Sequence, residues 1–380
     1  MTTTKWKVGG YLIPVTQTIV GKRIELEYPF SRELTAEIKM MDGARWHGYD
    51  ETNPRKIWSI ANSIRNRFQI DYLSGANPYA NYDAPIKDVP TRRSLYSHQK
   101  DLYQHGYTRR YGIWASEMGT GKSLAAIELC ERLQSEYNID ELKIWFIGPK
   151  AAVKALRLEL NKWKATFNPV LMTYEGLTQT VKDWRPGQPA PQIVIFDEAS
   201  KIKTVSAQRT QAAMHLSEAV RTEYGDRGCV MLMSGSPAPK SPVDWWSLCE
   251  TTCPGFIKEG NVEKFKRNLC IIEQREGLGG AMYPHMVAWL DDEKKCKHCG
   301  QYRDDPIHMT KPPDAKEAMA ILSKGFTFGG GQTQAPQASD AKPSSLNMHV
   351  YEPSKNEVAR LYKRMNGLVM VKFKKDCLDL

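Results

Sequence analysis

The sequence has no apolar run approaching the roughly 18–20 residues that a helix needs to cross a bilayer. Its amino terminus, MTTTKWKVGG, lacks the basic and then apolar pattern of a secretory signal peptide. With 8 cysteines in 380 residues and no sign of secretion, a disulfide framework is also disfavoured. These absences predict an intracellular chain, cytoplasmic if the source is bacterial or viral, whose cysteines are mostly reduced core residues.

Basic residues outnumber acidic ones by 53 to 43, which gives a formal net charge of +10. Each phosphate that Lys or Arg neutralises releases a counterion, so an excess of this size favours a polyanionic partner. A solvated basic surface explains the same excess equally well. Charge alone therefore leaves both explanations open.

Composition divides the chain into successive segments. Residues 1–90 mix short strands with a helix candidate near Lys56–Phe68 and predict a small α+β domain. Residues 91–280 alternate apolar strands with helical stretches, which is typical of a parallel α/β sheet. Residues 281–350 form an insertion that ends in a Gly/Gln/Ser/Pro-rich stretch, and residues 351–380 look helical and basic. The predicted strands are Tyr11–Val15, Ile24–Tyr28, Gly112–Ala115, Ile144–Ile147, Val170–Thr173, Ile193–Phe196 and Val230–Met233.

The segment YGIWASEMGTGKSLAAIELC reads as an apolar strand, a turn with two glycines and a helix, the context of a phosphate-binding loop. Gly119 and Gly121 allow backbone N–H groups to turn inward around phosphate oxygens, and the helix adds its positive dipole end. Lys122 would then reach the β- and γ-phosphates, and the Ser123 hydroxyl would bind Mg²⁺. The alternative is a Gly-rich turn without a ligand.

A second strand, within QIVIFDEAS, ends in Asp197 and Glu198. Parallel α/β sheets bind ligands at the carboxyl ends of their strands, so both carboxylates lie at the expected edge. Asp197 would hold Mg²⁺, directly or through water, while Glu198 would orient and deprotonate an attacking water. Such a pair alone is usually a solvated strand end. Downstream of a phosphate loop, it predicts a catalytic set of Lys122, Asp197 and Glu198.

The order of these motifs resembles helicase superfamily 2, and within it the Swi/Snf-type DNA-dependent ATPases. SEMGTGKS is close to that family's DEMGLGKT, and Ser116 replaces the first glycine of the general pattern, as is common in helicase-type loops. LYSHQ resembles the adenine-reading element, IGPK motif Ia and TYE motif Ib. DEASKIKT resembles the DEAH-type box with Ser200 in the histidine's place, and LMSGSP resembles LTGTP.

The resemblance implies a RecA-like sheet with flanking helices, ATP and Mg²⁺ as cofactors, and double-stranded DNA as the partner. Ser234, Gly235 and Ser236 would couple the ATP state to DNA-contacting elements. Lys150, Lys154 and Arg157 would track a phosphate backbone, although a solvated helix face explains each of them equally well. The residues expected around the nucleotide are Gln99, Met118, Gly119, Thr120, Gly121, Lys122, Ser123 and Asp197.

Residues 1–90 carry a second, shorter resemblance. Gly43, Arg45, Trp46 and Trp58 resemble the substrate-recognition domain of the annealing helicases, the HepA-related branch. Arg45 and Trp46 could grip phosphates and stack on unpaired bases, or the tryptophans could anchor a small core, and the two functions can coexist. The resemblance implies branched or forked DNA as the substrate, in DNA repair or replication.

Residues 353–380 resemble the stretch that joins the two RecA-like lobes of such motors, and no motif of the second lobe follows. We therefore expect a truncated chain or one part of a split protein, with the second lobe supplied in cis or in trans. An arginine finger contributes about 10³–10⁵ in rate, so this part alone would hydrolyse ATP weakly. The resulting hypothesis is an ATP-dependent double-stranded-DNA translocase. The alternative is a nucleotide-gated DNA-binding module that depends on a partner chain for hydrolysis.

Cys296 and Cys299 have the spacing of a zinc-ligand pair, and His308 follows them. These three residues predict a possible Zn²⁺ site whose fourth ligand, His285 or Cys270, the sequence does not choose. The alternative is a CxxC on a surface loop without a metal.

Overall fold

The computed structural model describes residues 1–8, 10–48, 57–185, 187–237, 243–257, 259, 262–276, 282–289, 361 and 364–377. Within these ranges, none of the helices is long and apolar enough to cross a membrane.

The amino-terminal unit is a five-stranded antiparallel sheet of order β1-β2-β3-β5-β4 with two helices. Strand alternation sends Trp6 and Leu26 to one face, where Leu34 and Ile38 of the first helix complete a buried core. This unit confirms the α+β architecture predicted for the start of the chain. Its elements are β1 (Thr2–Val8), β2 (Tyr11–Val20), β3 (Arg23–Glu27), α1 (Arg32–Lys39), β4 (Arg45–His47), β5 (Ile57–Ala61) and α2 (Ile64–Leu73).

The helix predicted near Lys56–Phe68 is wrong over its first half. Ile57–Ala61 is a strand that pairs with both β3 and β4, and α2 begins only at Ile64. The Ser63 side chain accepts a hydrogen bond from Asn66 N and so caps the helix. β5 is short and contains a buried serine, Ser59, so it lacks the regular apolar alternation that marks a strand with one solvated face.

The second unit is a six-stranded parallel sheet of order β13-β6-β10-β9-β7-β8 with helices on both faces. All five strands predicted between residues 91 and 280 are confirmed. The elements are α3 (Ser97–Arg109), β6 (Tyr111–Ser116), α4 (Lys122–Tyr137), β7 (Ile144–Gly148), α5 (Lys150–Lys162), β8 (Val170–Thr173), α6 (Tyr174–Lys182), β9 (Ile193–Phe196), α7 (Gln208–Tyr224), β10 (Cys229–Ser234), α8 (Asp244–Thr252) and β13 (Val369–Lys372).

The central strand β10 shows how the parallel sheet is buried. Val230 and Leu232 enter the hydrophobic cluster on one face, while Met231 and Met233 enter the cluster on the other. Strands covered on both faces are apolar at nearly every position, which is why these runs stand out in the sequence. Four cysteines are free and buried in the structure, as predicted for reduced core residues: Cys130, Cys229, Cys249 and Cys253.

The remaining elements lie outside the predicted pattern. The stretch 351–380 is predicted to be helical, and Leu361 and Arg364 are in helical conformation. Val369–Lys372, however, pairs with β6 as an edge strand and is followed by the short α10 (Lys374–Cys377). The division of the chain at residues 90, 280 and 350 stays a prediction. Further elements are α9 (Val262–Leu269), the antiparallel pair β11 (Cys270–Glu276) and β12 (Met282–Trp289), and 3-10 helices at Ala80–Asp83, Glu141–Lys143, Ala199–Ile202 and Gly225–Arg227.

The loop between the two units packs against the second unit through buried tyrosines. The Tyr79 hydroxyl donates to Pro254 O at 2.6 Å, and the Tyr82 hydroxyl donates to Tyr111 O, at the start of β6, at 2.8 Å. Both rings belong to the hydrophobic cluster that α7 and α8 form against the parallel sheet. The loop between the units is therefore part of the core of the second unit.

Candidate nucleotide-binding site

The predicted phosphate loop connects β6 to α4. The loop turns through Gly119 and Gly121, whose φ angles are +84° and +78°. Residues with a Cβ rarely adopt these angles, so the turn requires glycine. Gly121 is the N-cap of α4, which begins at Lys122. The structure thus has the strand, turn and helix that the sequence predicts.

Ser116, the residue that replaces the first glycine of the general pattern, is fully buried. Its hydroxyl lies 2.7 Å from the Thr120 hydroxyl, which donates to Glu117 O at 2.8 Å. These bonds connect the two ends of the loop. The buried serine therefore stabilises the turn of the loop.

Lys122 lies inside the loop. Its Nζ donates to Ser116 O at 2.7 Å and to Glu117 O at 3.0 Å. Burial lowers the pKa of Lys122, while the negative charges of Asp197 and Glu198 act in the opposite direction. A phosphate group in the loop would stabilise the ammonium form further.

Asp197 and Glu198 follow β9 at the same edge of the sheet. Asp197 N donates to Ile147 O at 2.7 Å, and the buried Tyr174 hydroxyl donates to Asp197 O at 2.8 Å. These contacts, one from β7 and one from α6, fix the backbone of Asp197. The chain then turns through Glu198, whose φ is +50°, and Glu198 N donates to Asp197 Oδ1 at 2.9 Å.

Burial raises the pKa of the Asp197 carboxyl; the Glu198 N–H bond and the Lys122 charge lower it, while the Glu198 charge raises it. A divalent cation would offset the cost of keeping this carboxylate charged. The Ser123 hydroxyl and the Asp197 carboxylate are oxygen donors, the kind that Mg²⁺ prefers alongside water and phosphate oxygens. The residues present therefore fit Mg²⁺.

The first turn of α3 lies directly against the phosphate loop. Gln99 is buried; its Oε1 accepts from Tyr96 N at 3.1 Å and its Nε2 donates to Thr120 O at 3.4 Å. His98 Nε2 lies 2.8 Å from the same carbonyl oxygen, and no sequence motif indicates this contact. The Tyr96 ring stacks on His98 with centroids 5.8 Å apart. Gln99 thus reaches the site that the resemblance implies.

The segment after β10 also contacts the loop. Ser234 is fully buried at the end of the strand, and its Oγ accepts from Ser236 N at 3.2 Å. An ideal Cβ at Gly235 would lie 3.0 Å from Met118 Cγ and 3.2 Å from Met118 N. Because β10 lies between β6 and β9, this segment stands between the phosphate loop and the acidic pair.

Comparison with known proteins identifies relatives of this chain, although no family model matches it. Helicase swr1 of Schizosaccharomyces pombe is 27% identical over 180 residues, which cover 40% of this chain and 13% of swr1. The human DNA excision repair protein ERCC-6-like is 25% identical over 206 residues, or 45% of this chain and 15% of that protein. The chain is similar to these two proteins over part of its length. It spans only a small part of the relatives that it matches.

Solved structures of Swi/Snf-type and other helicases overlap the chain in part. The SWI2/SNF2 ATPase core of Sulfolobus solfataricus in complex with dsDNA has a TM-score of 0.38 and 18% identity, covering 48% of this chain and 40% of that one. The UvsW helicase from bacteriophage T4 has a TM-score of 0.35 and 13% identity, covering 62% of this chain and 96% of that one. Similarities at this level carry no argument about activity.

The residues that the Swi/Snf resemblance assigns to DNA lie on exposed surfaces. Lys150, Lys154 and Arg157 share one exposed face of α5, whose buried face holds Leu156 and Leu160. This helix follows β7 at the edge of the sheet that carries Asp197. Lys150, the first residue of α5, therefore lies near the edge that carries Asp197, while Arg157 lies two turns further along the helix and lines a cavity with Glu141 and Thr166.

Arg45 and Trp46 lie apart from the nucleotide site, on the edge strand β4 of the amino-terminal sheet. Trp46 is 50% exposed, and its ring centroid lies 5.4 Å from that of Trp58, which packs against the core of this unit. Trp58 thus packs against the core of this unit, and stacking of the exposed Trp46 ring on a ligand stays a prediction.

The predicted zinc ligands Cys296, Cys299 and His308 lie outside the described residues. The two candidates for a fourth ligand lie on paired strands, Cys270 opposite Trp289 and His285 opposite Glu273. Among the residues that the structure describes, no group of three or more His, Cys, Asp or Glu side chains could hold a metal ion. The Zn²⁺ site stays a prediction.

Proposed function

We propose that this chain is the ATP-binding part of an ATP-dependent DNA translocase of the Swi/Snf type, with duplex or branched DNA as its substrate. One observation carries the proposal: Lys122 of the phosphate loop and the acidic pair Asp197 and Glu198 follow the carboxyl ends of two strands of one parallel sheet, close enough for their charges to interact. A nucleotide loop alone would support only binding. A facing acidic pair adds the groups that hydrolysis needs.

The proposed chemistry divides among these side chains. Lys122 binds the β- and γ-phosphates, while Ser123 and Asp197 would hold Mg²⁺, which when bound would neutralise charge on the phosphates. Glu198 orients the attacking water and accepts its proton. Positioning and electrostatic stabilisation supply most of the catalysis in phosphoryl transfer, so the fixed backbone at Asp197 matters as much as its charge.

Coupling to DNA is assigned to the segment Ser234–Ser236. Its contact with Met118 means that a shift of the phosphate loop on nucleotide binding also displaces the residues after β10. Lys150 lies near the same edge of the sheet, and Lys154 and Arg157 extend the exposed basic face along α5. The net charge of +10 also favours a polyanionic partner. A second RecA-like lobe, in cis or in trans, would complete the site and close on the DNA.

Steady-state hydrolysis of ATP by the purified chain, with and without duplex DNA, tests the proposal. We expect slow hydrolysis that duplex DNA stimulates, and Lys122→Ala to abolish both ATP binding and hydrolysis. Lys182→Ala, at the end of α6, is the matched control and leaves both unchanged. Hydrolysis that persists in Lys122→Ala would refute the assigned site. Nucleotide-dependent DNA binding without any hydrolysis would favour the alternative, a DNA-binding module that needs a partner chain.

The preference for branched DNA has its own test. Mobility shifts with forked and linear duplexes should show tighter binding to the fork, and Trp46→Ala should remove the difference because it deletes the exposed ring. Tyr11→Ala, another exposed aromatic on the same sheet, should leave it unchanged. Equal affinities of the unaltered chain for both DNAs would exclude the annealing-helicase subtype.

A further inference from the structure

The strand β13 brings a distant part of the chain to the phosphate loop. It runs parallel to β6 in a register that pairs Val369 with Ile113 and Lys372 with Ser116. Ser116 is the last residue of β6 before the loop. The chain that leaves β13 therefore runs alongside the loop that leaves β6.

Two hydrogen bonds continue this pairing past the ends of both strands. Glu117 N donates to Lys372 O at 3.2 Å, and Lys374 N donates to Glu117 Oε2 at 2.8 Å. The Lys372 side chain contacts α3, the helix that carries Gln99, because its Nζ lies 2.5 Å from Asp101 Oδ2. Residues 372–374 are thus held by both the phosphate loop and the helix that carries Gln99.

This anchoring places the Lys374 side chain over the turn of the phosphate loop. An ideal Cβ at Gly119 would lie 3.5 Å from Lys374 Cε and 3.7 Å from its Nζ. Lys374 is exposed, and no carboxylate in the described part of the chain forms an ion pair with its ammonium group. Lys122 Nζ lies inside the same loop, so two ammonium groups flank the residues that would receive the phosphates.

We propose that Lys374 is a second phosphate-binding cation of the nucleotide site. The inference rests on the proposed function, because it presupposes that the loop binds ATP. The Glu117 carboxylate lies beside the loop and would repel a triphosphate. A second cation offsets that repulsion, and the bond from Lys374 N to the same carboxylate fixes where the cation stands. Nucleotide binding would also stabilise the pairing of β13 with β6.

Equilibrium titration of the full 380-residue chain with ATP and Mg²⁺ tests the assignment. We expect Lys374→Ala to bind ATP roughly threefold to tenfold more weakly, the range for a charge contact at a solvated site, and the loss to shrink in high salt. Lys374→Arg should restore most of the affinity. Lys375→Ala is the matched control, since this neighbour is also exposed but directs its Nζ at the Phe373 ring, 5.7 Å away.

A chemical footprint gives a second readout. ATP should protect Lys374, but not Lys375, from acylation by an amine-reactive reagent, as measured by mass spectrometry. If Lys374→Ala and Lys375→Ala bind ATP equally and ATP protects neither lysine, the inference is wrong while the proposed function stands. If the unaltered chain binds no ATP, both are wrong, so the two failures are distinguishable.

Discussion

The Gln99 side chain fills the space beside Gly121 that any larger residue at that position would need. An ideal Cβ at Gly121 would collide with Gln99 Nε2 and lie 3.2 Å from Gln99 Cδ. The phosphate loop and the first turn of α3 therefore pack closely together at Gly121. A change at this position affects both halves of the nucleotide site.

We expect Gly121→Ala to weaken ATP binding at least tenfold and to lower the free energy of unfolding by about 1–3 kcal/mol, because it adds a collision to an unfavourable φ. Urea unfolding and ATP titration measure the two effects. Gly187→Ala is the matched control: its φ is +83°, but no atom lies within 4 Å of its ideal Cβ. Equal losses of stability in the two variants would show that Gln99 does not restrict the loop.

A second glycine connects the loop to the segment after β10. Gly235→Ala would push its methyl group against Met118, where the nearby backbone nitrogen cannot turn away as a side chain can. We expect a several-fold loss of ATP affinity with little change in melting temperature, since Met118 itself is 70% exposed. Adding Met118→Ala to Gly235→Ala should recover only part of the lost ATP affinity. Complete recovery would mean that the side chain, and not the loop backbone, mediates the contact.

Much of the parallel sheet and of the phosphate loop could be predicted from the sequence because their signals are local. Strands such as Ile193–Phe196 are apolar throughout, and the glycines that the turn requires sit beside the lysine that marks it. The strand Ile57–Ala61 is predicted as a helix because it is short and a buried serine, Ser59, interrupts its apolar residues.

The contacts that complete the site could not be predicted because they join residues far apart in the chain. Tyr174 supports Asp197 from another element, and His98 reaches Thr120 O from the preceding helix. The bond between Lys374 N and Glu117 spans 257 positions. No periodicity or motif encodes such a pairing, since only the docking of β13 against β6 brings the two residues together.

A buried ion cluster holds the chain before α3 against α4. Arg93 Nη1 lies 2.9 Å from Glu128 and 2.6 Å from Glu131, and Arg93 Nη2 donates to Trp163 O at 2.9 Å. The hydrogen bond to Glu131 is the chief reason that the pKa of Arg93 is raised. Because the segment that contains Arg93 leads directly into the turn that carries Gln99, the cluster helps to position Gln99 in the nucleotide site.

We expect Arg93→Ala to lower the free energy of unfolding by about 3–5 kcal/mol, because it removes the nearest cation from two buried carboxylates, Glu128 and Glu131. Chemical denaturation measures the loss. The neighbouring Arg92 is the control: its side chain is 57% exposed and 3.4 Å from Glu131. Arg92→Ala should cost less than about 1 kcal/mol. Similar losses in both variants would contradict the idea that Arg93 is the structural member of the pair.

The contact between the two units contains a carboxyl group that titrates near neutral pH. Glu250, on α8, is fully buried; its Oε1 accepts from Gly255 N at 2.8 Å, and its Oε2 lies 2.9 Å from Arg65 Nε on α2. Burial raises the pKa of Glu250 from 4.5 to about 7, although the Arg65 charge acts against the rise. Between these values the folded chain therefore holds a proton that the unfolded chain has released.

It follows that Glu250 contributes stability that is full below about pH 4.5 and is lost as the pH rises through 7, by about 3 kcal/mol at 1.36 kcal/mol per pKa unit. Glu250→Gln keeps the shape of the side chain and removes the titration. We expect the melting temperature of the unaltered chain, relative to Glu250→Gln, to fall between pH 5 and pH 8. Glu175→Gln, on the exposed face of α6, should show no such trend. A constant difference across this range would mean that Arg65 keeps Glu250 charged throughout, and that the units are held by a permanent ion pair.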